Sequence, residues 1–104
     1  MNDTERNKKA YELLKLNEIE KAIELYELNV QLKTQNLATY NRLISIYRKA
    51  NDKENMNRIL KLLLVIHEEK LRVLEKAPQN NRYLFNYEKQ RLIVDFVRTS
   101  IDKK

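Results

Sequence analysis

Apolar residues recur at intervals of three and four along most of the chain, and no stretch alternates apolar with polar positions as a half-buried strand does. The pattern predicts five helices, over about residues 4–16, 19–33, 37–50, 54–76 and 81–101, with connections of a few residues between them. Short connections make consecutive helices antiparallel neighbours, so the expected fold class is all-α, built from helical hairpins. The chain has no glycine, and asparagine is the next residue able to end a helix in the left-handed conformation. Asn17 and Asn51 are therefore the expected stops of the first and third helices. Asn36 and the Asn80-Asn81 pair are placed as N-caps, and Asp3 or Thr4 as the opening of the first helix. His67-Glu68-Glu69-Lys70 contains no breaker, so the fourth segment reads as one long helix ending before Ala77-Pro78, a split near His67 being the alternative.

Composition narrows the chemistry. At 104 residues the chain is expected to form a single domain. Without glycine it lacks the backbone positions on which P-loops, dinucleotide-binding turns and nucleophile elbows depend. Without cysteine it has no thiol chemistry or cysteine zinc site, and one histidine, His67, leaves no pair for a metal or a triad. The expectation is a protein with no catalysis, no cofactor and no metal, His67 being a packed structural residue. The N-terminal MNDTERNKK is polar, and the longest apolar run, Leu62 to Ile66, is too short to span a bilayer; a cytoplasmic protein without membrane partners is expected. The net charge is +6, and it is uneven: residues 1–52 hold 9 basic against 8 acidic side chains, residues 53–104 hold 12 against 7. A surplus of this kind favours acidic partners or nucleic acid, although mixed charge at 35% of residues is also what a solvated helical surface carries.

Sliding the sequence against itself by 34 residues aligns Leu13 with Tyr47, Asn17 with Asn51, Ala22 with Met56, Leu25 with Ile59, Tyr26 with Leu60, Leu28 with Leu62 and Leu32 with Ile66. NEIEKAIELYE, with Ala22 and Tyr26 four apart, and YNRLISIYRK, with Tyr40, Leu43 and Tyr47, resemble the second helix and the first helix of a tetratricopeptide repeat. The resemblance covers about residues 5–67 and implies two hairpin repeats, with the end of the long helix and a C-terminal capping helix over 68–104. Three features depart from the family pattern. Ile44 stands where glycine is usual, Arg6 and Lys9 replace the expected aromatic and leucine, and Thr34 replaces the terminal proline. Ala10 keeps the close approach of the first hairpin, and the first helix then reads as a worn terminal unit.

The family presents a concave face through the first helix of each pair. By that analogy the groove residues are Asn7, Lys8, Tyr11 and Lys15 from the first helix, and Asn41, Arg42, Ser45, Arg48 and Lys49 from the third. Cations with amide side chains suit an extended peptide bearing carboxylates, so the expected role is a protein-interaction adaptor with an acidic partner. Tyr11 stands where the family's carboxylate clamp has asparagine, so that clamp is not reproduced. A basic nucleic-acid-binding helix is the alternative, carried by Arg82, Lys89, Arg91 and Arg98, which divide onto opposite sides of the last helix. On the long helix Met56, Ile59, Leu60, Leu63 and Leu74 form one apolar stripe, and Leu62, Ile66 and Val73 a second. The last helix places Tyr83, Tyr87, Val94, Val97 and Ile101 on one side and Phe85, Leu92 and Phe96 on another. The second set either folds back over Leu62, Ile66 and Val73 or forms a homodimer surface.

Overall fold

A computed structural model describes residues 1–76 and 81–102, with side chains described through 76 and from 86 to 101. The described residues form five helices and no strand: α1 (Asp3–Lys15), α2 (Ile19–Gln31), α3 (Leu37–Lys49), α4 (Lys53–Glu75) and α5 (Asn81–Asp102). The all-α class and the five expected segments are therefore present, each boundary within a residue or two of its expected place. The fourth segment is one helix of 23 residues, uninterrupted at His67. Ala77, Pro78 and Asn80, expected at the stop and the following cap, lie outside the described residues. Among the described residues no helix is long and apolar enough to cross a membrane.

The backbone itself repeats. Asp3 to Leu37 and Ile19 to Lys53, the first residues of α1 and α3 and of α2 and α4, are 34 residues apart. The turns repeat with them. Asn17 (φ 61°) and Asn51 (φ 57°) both take the left-handed conformation. In the first turn Asn17 N–H donates to Leu14 O (3.0 Å) and Glu18 N–H to Leu13 O (2.9 Å); in the second, Asn51 N–H donates to Arg48 O (3.1 Å) and Asp52 N–H to Tyr47 O (2.9 Å). These paired bonds are the Schellman closure, which satisfies carbonyls left over at a helix end. A third such closure ends α2, where Lys33 (φ 60°) is the left-handed residue, with Lys33 N–H on Val30 O (2.9 Å) and Thr34 N–H on Asn29 O (3.1 Å). Lysine carries a Cβ penalty there and has no short side chain to offset it.

The N-caps differ in one place from expectation. Asn36 caps α3, its Oδ1 accepting from Ala38 N–H at 3.0 Å. The cap of α1 is Asn2, whose Oδ1 accepts from Glu5 N–H at 2.8 Å, rather than Asp3 or Thr4. Asp3 lies inside the helix because its carboxylate is engaged elsewhere, accepting from the Thr34 hydroxyl at 2.5 Å.

The chain divides into two compact units, Met1–Met56 and Asn57–Lys104, the division falling inside α4. At about 1.5 Å per residue α4 is roughly 34 Å long, while a 13-residue helix covers only about 20 Å. In the first unit the buried side chains are Ala10 on α1, Ala22, Tyr26 and Asn29 on α2, Thr34 in the following connection, and Thr39, Tyr40, Leu43, Ile44 and Tyr47 on α3. Ala10 and Ala22 are fully buried, and two residues without bulk at the α1–α2 contact let those backbones approach closely. In the second unit Ile59, Leu60, Leu63, Ile66 and His67 of α4 and Val94 and Val97 of α5 are buried.

Candidate functional site

One end of the first unit is closed by a polar cluster. Asn29 follows Ala22 and Tyr26 on the inner face of α2 at intervals of four and three, and is fully buried. Its Nδ2 donates to Asp3 O (3.0 Å), to Asn7 Oδ1 (2.9 Å) and, at a longer 3.4 Å, to Thr39 Oγ1. Its Oδ1 accepts from Arg6 Nε. Thr39 in turn donates to Asn7 Oδ1 at 2.7 Å, and Tyr40 donates to Thr34 O at 2.7 Å. One buried amide thus ties α1, α2 and α3 together, and the hydroxyl of Thr34 beside Asp3 holds that carboxyl below its ordinary range. Burial pushes the phenols of Tyr26 and Tyr40 up, an effect that the charge of Arg42 opposes at Tyr26.

The other end is an open, mostly apolar groove. A cavity of about 570 Å³ is lined by Leu14 of α1, Ile19 and Ile23 of α2, Ile46 and Tyr47 of α3, and by Arg42, Ser45, Lys49, Ala50, Asn17 and Asp52. The floor is aliphatic, and the charged residues of the lining are Arg42, Lys49 and Asp52. Asp52 is also the cap of α4, its Oδ1 accepting from Asn55 N–H at 3.2 Å and its Oδ2 from Asn55 Nδ2 at 2.7 Å. Beside the groove the ring of Tyr11, partly exposed, holds two cations: Lys15 Nζ at 4.6 Å and the Arg42 guanidinium carbon at 4.3 Å from its centroid. Such contacts contribute about 0.5–1 kcal/mol each at an exposed site, and they fix two long cationic side chains beside the opening.

Of the nine groove residues expected from the sequence, Arg42, Ser45 and Lys49 line this cavity, and Tyr11 and Lys15 flank it through Arg42. Lys8, Asn41 and Arg48 are exposed and do not line it. Asn7 is half-buried with its Oδ1 inside the polar cluster, while its Nδ2 is a buried donor with no partner. The apolar floor was not singled out by sequence reasoning. Its signal was the Ile19–Ile23 pair at helical spacing, next to the turn at Asn17, with Leu14 and Ile46 at other helix ends. Glu27 accepts a hydrogen bond from the Tyr47 hydroxyl.

In the second unit His67 is buried between α4 and α5. Gln90 Nε2 lies 3.0 Å from His67 Nδ1 and donates to His67 O at 2.8 Å. Burial, reinforced by the charge of Lys70, holds the imidazole below its ordinary pKa. A neutral ring with Nδ1 as acceptor fits both observations. Arg98 is paired with Glu68 at 3.0 Å and lies 3.8 Å from Asp95. Leu92 and Phe96 are exposed, so they do not fold back over Leu62, Ile66 and Val73. Of that stripe, only Ile66 is buried. Phe85, the third member of the expected surface, has its side chain outside the described residues, as do Arg82 and Tyr83. No family model, curated protein or solved structure matches the chain.

Proposed function

We propose that residues 1–56 form a tetratricopeptide-like interaction module that takes an extended, acidic protein segment in the groove beside Tyr11. The observation that carries this reading is the pairing of an aliphatic cavity with cations already held in place. Leu14, Ile19, Ile23 and Ile46 suit an apolar side chain of the partner, while Arg42, Lys15 and Lys49 suit carboxylates on either side of it. Because Tyr11 orders Lys15 and Arg42 in the free protein, less side-chain entropy is lost on binding. The 34-residue repeat of helix starts and turns supports the family resemblance, and the polar cluster at Asn29 supports a rigid scaffold for the groove.

The partner segment is therefore an apolar residue flanked by Asp or Glu, presented without regular structure. A peptide array in which a central Leu or Phe is flanked by acidic, neutral or basic residues tests this directly. Capture should rank acidic above neutral above basic, weaken with salt, and fall at least about tenfold in the Arg42→Glu/Lys49→Glu double variant, the conversion being about 1.4 kcal/mol per tenfold. The circular-dichroism spectrum should be unchanged, since both side chains are exposed. Equal capture by wild type and double variant would remove the groove from consideration.

A further inference from the structure

We infer that one flank of the partner's apolar residue is a phosphorylated side chain, seated against Lys15 and Arg42 beside Tyr11, an assignment that rests on the groove of the first unit being the binding site.

Two like charges are gathered on one ring. Lys15 Nζ lies 4.6 Å and the Arg42 guanidinium carbon 4.3 Å from the Tyr11 centroid, so the two are no more than about 9 Å apart, close to the ~8 Å over which physiological salt screens charge. Their repulsion is therefore only partly screened. The ring attracts each cation through its face but carries no net charge, so both positive charges remain. Among the described residues no carboxylate forms an ion pair with Lys15, Arg42 or Lys49. The one acid of the groove lining, Asp52, accepts from Asn55 N–H and Asn55 Nδ2 at the start of α4.

This surplus suits a doubly charged anion at a single point. A phosphoryl monoester brings a charge of about −1.5 to −2 at neutral pH and three acceptor oxygens on one phosphorus, enough for the guanidinium fork and an ammonium together. A carboxylate brings about half that charge. Two carboxylates on separate residues would have to converge on the same ring against their own repulsion. Lys49, seven residues on from Arg42, lies about 10 Å further along α3 and takes the carboxylate of the other flank. Ser45, between them on the lining, adds a hydroxyl donor. The same lining disfavours a nucleic acid. Its floor of Leu14, Ile19, Ile23 and Ile46 is aliphatic, the Tyr47 ring is buried, and the Tyr11 ring is engaged by two cations, which leaves a base no ring in the groove on which to stack.

Three peptides test this apart from the groove itself. Each carries a central Leu with Glu on one flank and Ser, Glu or phosphoserine on the other, made in both orders. Fluorescence anisotropy with the full chain should show the phosphoserine peptide binding at least about tenfold more tightly than the Glu peptide, and the Glu peptide more tightly than the Ser peptide. Lowering the pH from about 7.5 to about 5.5 should weaken the phosphoserine peptide severalfold and spare the Glu peptide, because the second phosphate ionisation lies near 6 and that of Glu near 4.3. The chain's one histidine, His67, lies in the second unit, so the groove itself does not contribute an imidazole to that response. Lys15→Gln, at an exposed position, should reduce the preference for phosphoserine over Glu at least about threefold with helicity unchanged. Equal affinity for the phosphoserine and Glu peptides, or a phosphoserine affinity that does not fall with pH, would overturn the phosphorylated flank and leave the groove standing. Binding of none of the three would overturn both. A preference unmoved by Lys15→Gln would overturn its placement at Tyr11, and tighter binding of a single-stranded oligonucleotide than of the phosphopeptide would overturn the choice of occupant.

Discussion

Truncating Asn29 to alanine removes the amide on which α1, α2 and α3 converge. Two of the bonds it makes are of good geometry, those to Asp3 O at 3.0 Å and Asn7 Oδ1 at 2.9 Å, and a third accepts from Arg6 Nε; the contact to Thr39 at 3.4 Å adds little. The groups left behind are not all orphaned. Asn7 Oδ1 keeps the Thr39 hydroxyl at 2.7 Å, and the guanidinium of Arg6 keeps Met1 O. The net loss is therefore nearer two hydrogen bonds than four, at about 1 kcal/mol each, plus the cavity left by an amide in a fully buried site. A destabilisation of about 2–4 kcal/mol is expected for the first unit. Urea unfolding followed by far-ultraviolet circular dichroism and by tyrosine fluorescence measures it, since Tyr26, Tyr40 and Tyr47 are all buried in that unit. Asn29→Asp separates polarity from volume: it is nearly isosteric and keeps the Arg6 contact, but it cannot donate to Asp3 O or Asn7 Oδ1. It should still cost about 2 kcal/mol at neutral pH. A loss below about 1 kcal/mol for both variants would refute the account of the cluster as a structural tie.

Lys33 holds a left-handed backbone at φ 60° with a full side chain, so Lys33→Gly should stabilise the first unit by about 0.5–1 kcal/mol after the greater entropy of glycine in the unfolded chain is subtracted. A raised melting temperature checks it, and an unchanged or lowered one would show that Lys33 is not strained. The pH dependence of the second unit should carry the mark of His67. Its native pKa lies below the ordinary value, so the unfolded chain binds the proton more readily. Its contribution is fully present above the unfolded pKa of about 6.5 and is lost as pH falls through the lower native value. With a single histidine in the chain, proton NMR titration of the His67 ring reads the native pKa directly. Gln90→Leu should leave it low, because burial is the leading cause, whereas a native value at or above 6.5 would contradict the buried, neutral ring.

Helix number, helix boundaries and the 34-residue period were legible in the sequence because each is set by short-range rules. Spacing of apolar residues places the helices, and the lack of glycine leaves Asn17 and Asn51 to make the left-handed turns. The third such turn, at Lys33, carried no signal, since nothing about lysine favours that conformation. The cap of α1 was displaced from Asp3 to Asn2. The carboxylate of Asp3 is drawn to Thr34, 31 residues away, and a local capping rule cannot register that partner.

The candidate site divides along the same line. Its polar rim was expected only through the resemblance to the repeat family, whose concave-face positions include Tyr11, Lys15, Arg42, Ser45 and Lys49 at or beside the groove, and also Lys8, Asn41 and Arg48, which do not line it. The apolar floor was not, because Leu14, Ile19, Ile23 and Ile46 have the spacing of ordinary core residues. Only the approach of three helix ends leaves them open to a cavity rather than packed. Asn7 makes the same point in reverse, its amide drawn inward by Asn29 and Thr39. Sequence alone determined which faces of each helix are apolar or charged, because that depends on residues three and four apart. Tertiary structure decided which of those faces close and which stay open, because that depends on partners twenty to thirty residues away.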